Sequence, residues 1–151
     1  MSPEGKERVR NQLKIDEGVK YEIYLDHLGL PTCGIGHLII EGDLEHGESV
    51  GTPVPEERVN TLFDIDFNTM VKECEVLFDD NWESYPEEVQ EILVNMCFNL
   101  GRTRLAGFKN FRKALDAGDW AEAAVEGRDS RWYRQVGNRS ERLMSRLEVV
   151  A

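Results

Sequence analysis

The chain has 151 residues, of which 40% are hydrophobic and 31% charged, and a formal net charge of −11. That is enough apolar material for one compact unit or two small lobes sharing a helix, and no segment approaches the roughly 18 consecutive apolar residues that a membrane-spanning helix needs. Residues 41–91 hold 16 acidic and 2 basic side chains, a net −14, whereas residues 101–146 hold 11 basic and 6 acidic, a net +5. The basic residues of the second stretch are interleaved with Asp and Glu at helical spacing, a solvated helical surface rather than the overall basic face that phosphate neutralisation wants, so a nucleic-acid partner is not expected.

Ser2-Pro3-Glu4 reads as a helix start, with Ser2 as cap and Pro tolerated in the first turn. Val9 and Leu13 mark its buried stripe, and Gly18 is a natural stop. Tyr21, Ile23 and Leu25 then alternate with Glu22 and Tyr24 at strand period. Leu28-Gly29-Leu30-Pro31 supplies a turn, and Thr32 to His37 a Gly-rich return strand, which together predict a small antiparallel sheet. Residues 41–53 carry Gly, Pro and charge without a period and read as loop with a short edge strand. From about Pro55 to Phe78 apolar residues recur at threes and fours, the pattern of one long helix. Ser84-Tyr85-Pro86-Glu87 has the form of a capping box opening a second helix, with Val89, Ile92, Leu93, Met96 and Leu100 inward and Gly101 at its end. Shorter helices are expected around 108–117, 119–126 and 138–149, with Asp119/Glu122 and Asn138/Glu141 as start signals.

The chemistry is concentrated between Asp16 and His37, in Asp-Glu-Gly-Val-Lys-Tyr-Glu-Ile-Tyr-Leu-Asp-His-Leu-Gly-Leu-Pro-Thr-Cys-Gly-Ile-Gly-His. Glu17 ends a helix, eight residues intervene before Asp26, and five more lie between Asp26 and Thr32. Hydrolysis of a glycosidic bond needs one carboxylic acid to protonate the leaving oxygen and a second carboxylate on the other face of the sugar. A helix terminus followed by a hairpin can aim two such groups at one cleft, and Gly34 and Gly36 let the backbone fold back tightly behind them. The helix dipole at the end of the first helix favours the protonated form of Glu17, as a general acid requires.

This segment resembles the active-site signature of the phage-type lysozymes, glycoside hydrolase family 24. Asn95-Met-Cys-Phe-Asn-Leu-Gly101, Ala106-Gly-Phe-Lys-Asn110, Trp120 to Val125, Ser130-Arg-Trp-Tyr133 and Asn138-Arg139 carry the resemblance further, over most of the chain. It implies an α+β, lysozyme-like fold: one phage-type lysozyme domain with a small antiparallel sheet lobe at about 14–54, a linking helix at about 55–78, and a helical lobe at about 79–151 that includes the N-terminal helix, the cleft lying between the lobes. It implies a muramidase, an endolysin degrading peptidoglycan at the β-1,4 bond between N-acetylmuramic acid and N-acetylglucosamine. Glu17 is then the proton donor, Asp26 and Thr32 position the attacking water, and a covalent intermediate on Asp26 is the alternative. Leu38 and Phe98 match positions lining the saccharide groove. Phe111 stands where a Ser is familiar and Glu126 where an Asn is, which alters the subsite contacts. By the same resemblance His37 pairs with Asp66 on the long helix, and Arg139 with the acidic pair at Asp16 and Glu17, a cation that opposes the effect of the helix dipole on Glu17 and leaves the net direction open. No cofactor or metal is expected, the protein should be monomeric, and its partner is the peptidoglycan glycan strand. The polar N-terminus has no apolar stretch like that of a signal peptide. A chain made in the host cytoplasm would then reach the wall through a membrane-permeabilising phage protein or by carriage on a virion.

Two other classes compete. A zinc-dependent peptidoglycan amidase needs about three protein ligands and an open position; His27, His37, His46 and Cys33 are available, without a helical pair among them. A thiol peptidase built on Cys33 and His37 lacks an evident orienting residue. Cys74 and Cys97 fall on apolar helical faces and read as buried thiols, which fits a reducing compartment. A non-catalytic wall-binding or virion structural module is the remaining alternative, because fold does not fix function.

Overall fold

The computed structural model describes residues 1–151. Its elements follow the chain as α1 (Pro3–Glu17), β1 (Lys20–Leu25), β2 (Pro31–Gly34), β3 (His37–Leu38), α2 (Glu56–Phe78), a 3-10 turn (Asp79–Ser84), α3 (Glu87–Leu100), α4 (Arg102–Ala106), α5 (Lys109–Asp116), α6 (Trp120–Arg128), α7 (Arg131–Val136) and α8 (Asn138–Glu148). The architecture is α+β, mainly helical with one three-stranded antiparallel sheet, as expected of a lysozyme-like fold. The chain divides into two compact units, residues 10–69 and residues 1–9 with 70–151, and the divisions fall inside α1 and α2.

In the unit of residues 10–69 the sheet runs β1-β2-β3. Tyr24 stands opposite Thr32, and Thr32 in turn opposite Leu38. The predicted alternation in β1 forms a strand, but Ile23 alone of its apolar set is buried; Tyr21 and Leu25 are exposed. The register of β1 against β2 slips between Lys20 and Tyr24, a bulge that breaks the simple period of two. The expected single return strand is two short ones joined by a tight turn, since Cys33 pairs directly with His37. Gly34 and Gly36 take φ of 62° and 61° in that turn, a left-handed conformation that favours glycine. Segment 51–54 lies along the free edge of β1: the Ile23 N–H donates to the Thr52 carbonyl at 2.9 Å and the Val54 N–H to the Tyr21 carbonyl at 2.8 Å. The early part of α2 buries Val59, Leu62, Phe63 and Phe67, as its period requires. Arg10 lies 4.8 Å over the Phe63 ring and bonds to Asp64 at 2.9 Å.

The other unit is built around α3. Val89, Ile92, Leu93, Val94 and Met96 are all fully buried, and Gln90, Glu91 and Asn95 are buried with them. A helix covered on nearly every side must satisfy its polar residues internally. Glu91 does so with Arg8, whose Nε and Nη2 donate to it at 3.2 and 2.8 Å, and with Arg146 at 3.6 Å. Gln90 donates to the Trp82 carbonyl at 2.8 Å. Ser2 caps α1 as expected, accepting from the Gly5 N–H at 3.0 Å while its hydroxyl donates to Glu87.

The Ser84 capping box is not used. Residues 79–84 form the 3-10 turn, the Ser84 hydroxyl donates to the Asn81 carbonyl at 2.7 Å, and α3 begins after Pro86 without a side-chain cap. Glu87, the far end of the expected box, is instead held by Ser2. Asp119 caps α6 by accepting from the Glu122 N–H. Asn138 begins α8 but does not cap it; Gly137 occupies the cap position, and Glu141 bonds to Arg128 and Tyr133. Two short helices carry no strong period in the sequence, α4 and α7, the latter capped by Ser130 on the Tyr133 N–H at 3.1 Å. All three cysteines are buried free thiols, and Cys74 on α2 is hydrogen-bonded to Cys97 on α3.

Candidate active site

A cavity of about 260 Å³ in the unit of residues 10–69 is lined by Glu17, Tyr24, Asp26, His27, Thr32, Gly36 and Leu38. It brings together four of the five expected site residues. Phe98 is on α3, in the other unit, and is half-buried there.

Glu17 is the last residue of α1 and is half-buried. Its side chain passes close to the hairpin turn: a Cβ on Gly36 would lie 3.1 Å from both Cβ and Oε2 of Glu17. Glycine at 36 therefore serves two needs, the left-handed backbone and the room for Glu17.

Asp26 follows β1 directly, and its Oδ1 accepts from the Leu28 N–H at 2.8 Å and the Leu30 N–H at 2.9 Å. The same turn is closed by Asp26 N–H to Leu30 carbonyl and Gly29 N–H to Asp26 carbonyl, each 2.9 Å. The Leu30 N–H above all, opposed by slight burial and helped by the Leu28 N–H and by His27, holds the Asp26 carboxyl below the usual carboxylate range. Asp26 is thus kept ionised, with one oxygen fixed by the backbone.

Thr32 is buried on β2, and its hydroxyl donates to the Leu30 carbonyl at 2.9 Å. With its proton committed there, Thr32 Oγ1 can only accept from a further group. The peptide groups of Leu30 orient both residues, its N–H holding the Asp26 carboxylate and its carbonyl holding the Thr32 hydroxyl. Nothing in the sequence pattern singles out Leu30, because its role is carried by backbone atoms.

Behind the turn, His37 is buried. Its Nδ1 lies 2.7 Å from Asp66 Oδ2 on α2, as expected, and its Nε2 lies 2.8 Å from Asp43 Oδ2, a partner the sequence reading did not contain. Ionised carboxylates can only accept, so holding both takes a proton on each ring nitrogen, and the surroundings favour the imidazolium form of His37. Burial opposes that charge, but the bonds to Asp66 and then Asp43 outweigh it and raise the His37 pKa. The Asp43 carboxyl is lowered: its burial is outweighed by the Ile40 N–H at 2.9 Å and by His37.

This arrangement bears on the two rival chemistries. Both nitrogens of His37 are taken by carboxylates, and the fully buried Cys33 thiol is pushed up to about 11 by burial and by Glu45 and Asp43. Neither is disposed toward ligation or nucleophilic attack. His27 lies in the cavity, whereas His46 is in the 41–53 loop, where its N–H donates to the Asp43 carbonyl.

Of the two variant groove positions, Phe111 is buried on α5, edge-on to Phe108 at 6.2 Å, and is a core residue. Glu126 lies on α6 beside Glu122, in a shallow pocket with Asn110 and Lys113. Arg139 is oriented by Asn95, donating Nε to its side chain at 3.0 Å and Nη2 to its carbonyl at 3.3 Å.

The family model for phage lysozyme matches residues 14–148. The chain belongs to the phage lysozyme family. Two curated relatives from Dictyostelium discoideum, named probable T4-type lysozymes 1 and 2, are 31% and 29% identical to it, each over 93% of this chain and 94% of their own length. A third relative, the pre-baseplate central spike protein Gp5 of Enterobacteria phage T4, is 32% identical over 87% of this chain. The matched region is 26% of that spike protein's length, so the chain spans about a quarter of it. Membership of the phage lysozyme family places the chain among glycosidase-type hydrolases.

Proposed function

We propose that the protein is an endo-acting muramidase that hydrolyses the β-1,4 bond between N-acetylmuramic acid and N-acetylglucosamine in peptidoglycan, with Glu17 as general acid and Asp26 and Thr32 as holders of the attacking water. The observation that carries this reading is the shared cavity in which an acid faces two acceptors fixed by one backbone residue.

In the proposed step Glu17 gives its proton to the glycosidic oxygen as the C1–O bond breaks. A water donates one hydrogen toward the Asp26 carboxylate and the other toward Thr32 Oγ1, which turns its lone pair to C1 on the opposite face. The new C1–O bond forms with inversion, and Asp26 takes up the proton that the water releases. The Thr32 acceptor favours this course over direct attack by Asp26, since a covalent intermediate needs no second acceptor for a water. The reaction uses no cofactor, and the glycan strand is the partner.

The similarity to a phage spike protein over most of this chain supports a second reading of its biological role. The domain would then act as part of a virion, in place of an endolysin accumulating in the host cytoplasm until a permeabilising protein admits it to the wall. The chemistry is the same in both.

Release of reducing ends from purified peptidoglycan, with mass spectrometry of the fragments, tests the reaction. Hydrated muramic acid ends are expected, and anhydro ends would make the enzyme a lytic transglycosylase. Glu17→Gln should fold normally and lose about 10²–10⁴-fold in rate, the usual worth of a general acid. Asp26→Asn should be severely impaired. Wild-type turnover by folded Glu17→Gln protein removes the assignment.

A further inference from the structure

We infer that Tyr24 is a further substrate-contacting residue of this site, its phenol donating a hydrogen bond to an oxygen of the N-acetylated sugar bound beside Asp26 and Thr32. The inference rests on the muramidase reading and extends it to a residue that neither the motif spacing nor the proposed mechanism uses.

The placement comes from the sheet. On β1 the register irregularity between Lys20 and Tyr24 sets three intervening residues against one on β2, where Lys20 faces Gly34 and Tyr24 faces Thr32. Bulges of this kind re-aim side chains and gather next to active sites. Here the result is a row of directly opposed residues across three strands, Tyr24, Thr32 and Leu38. Opposed residues project from the same face of a sheet, and all three line the cavity that also holds Glu17 and Asp26.

The chemistry comes from what the neighbours lack. Asp26 is an ionised acceptor, and Thr32 has spent its proton on Leu30. A sugar over this floor presents hydroxyl, acetamido and ring oxygens, and the acceptors of Asp26 and Thr32 cannot bond to those that have no hydrogen. Tyr24 supplies a neutral donor. Its ring is half-buried and carries Lys20 Nζ 4.4 Å from its centroid, which fixes one side of it. Burial first, then the charges of Glu17, Asp26 and Cys33, raise the phenol above its ordinary pKa, so it keeps its proton over the whole range in which a glycosidase works. Hydrogen bonds to the sugar at the reacting centre strengthen as it flattens toward the oxocarbenium-like transition state, so the contribution of this donor should fall on kcat more than on KM.

Tyr24→Phe is the test, with wild type and Glu17→Gln assayed alongside on peptidoglycan and on soluble glycan fragments. The wild-type to Glu17→Gln contrast checks the muramidase reading by itself. Given that contrast, Tyr24→Phe should melt like wild type, because ring and Lys20 contact remain, and should lose about tenfold in kcat, the worth of one hydrogen bond to the reacting complex, with little change in KM. Replacing Tyr24 by 3,5-difluorotyrosine keeps the hydroxyl but makes it more acidic. At a pH where the phenol is still protonated it should keep kcat within a few-fold of wild type, well above that of Tyr24→Phe. The titratable groups facing the phenol, Glu17, Lys20, Asp26 and Cys33, are unchanged in that protein. A Tyr24→Phe enzyme with wild-type kcat and KM overturns the inference, and so does a difluorotyrosine enzyme that loses as much kcat as Tyr24→Phe.

Discussion

The unit around α3 and the unit that holds the cavity secure their side chains in opposite ways. Around α3 the positions are set by packing: Val89, Ile92, Leu93, Val94 and Met96 have no exposed surface, and the one buried carboxylate among them, Glu91, is closed over by two arginines. Around the hairpin buried residues, Ile23, Cys33, Ile35 and Ile39, alternate with exposed ones. Tyr21, Leu25, Leu28, Leu30 and Leu38 are all exposed. Asp26 and Thr32 are held there by hydrogen bonds to the Leu30 backbone, Glu17 lies against the left-handed Gly36, and an ion cluster stands behind the turn. The difference teaches where tolerance lies. A packed helix loses stability in proportion to the atoms removed, whereas a hydrogen-bonded turn can lose its function for a small change in stability.

The largest effect on stability should come from the packed side. Leu93→Ala removes a fully buried side chain and should cost about 2–5 kcal/mol. Activity per folded molecule should stay close to wild type, read from chemical denaturation beside turnover below the melting transition. A large loss of turnover in protein that is still folded would erase the contrast between the two units.

The next effect belongs to the ion cluster and depends on pH. The His37 pKa is raised, so its contribution is complete below the unfolded value of about 6.5 and disappears as pH rises through the folded value. Asp43 is lowered, so its contribution is present above the unfolded value of about 3.9 and disappears as pH falls through the folded value. His37→Asn should therefore cost most between about pH 4 and 6.5, of the order of 1.5–3 kcal/mol for buried bonds to charged groups. Melting curves across pH measure this. A penalty that does not vary with pH would mean that the cluster is held by shape alone.

The smallest stability change should come with a severe loss of activity. Gly36→Ala forces a left-handed backbone on alanine, at about 1–2 kcal/mol. It also puts a methyl 3.1 Å from the Glu17 side chain. Glu17 has to move, and a displaced acid protonates poorly. Turnover and melting temperature measured together would sharpen the comparison: the sheet-side variant should lose far more rate than stability, and Leu93→Ala the reverse.

The helices were legible because burial imposes a period. The run from Val59 to Phe78 and the inward set of α3 follow from spacing alone, and Ser2 and Asp119 act as the caps that their residue types suggest. Ser84 and Asn138 have the same chemistry and do not cap, because a 3-10 turn and Gly137 occupy those places. In the hairpin the strands were legible and their register was not: a bulge and a two-strand return leave no period to read. At the site, the spacing of Glu17, Asp26 and Thr32 pointed to residues that the fold gathers in one cavity. Leu30 and Asp43 were invisible, one acting through its peptide groups and the other lying in an aperiodic acidic loop.

The imidazole of His37 joins three segments by its two nitrogens: β3 carries it, α2 holds Nδ1 through Asp66, and the loop after β3 holds Nε2 through Asp43. A side chain in solvent changes rotamer within picoseconds to nanoseconds. This ring can turn over only when both bonds are broken at once. Its motion is therefore slaved to the joint release of two carboxylates, and the tempo at which that one ring reorients is the lifetime of the link between the three segments.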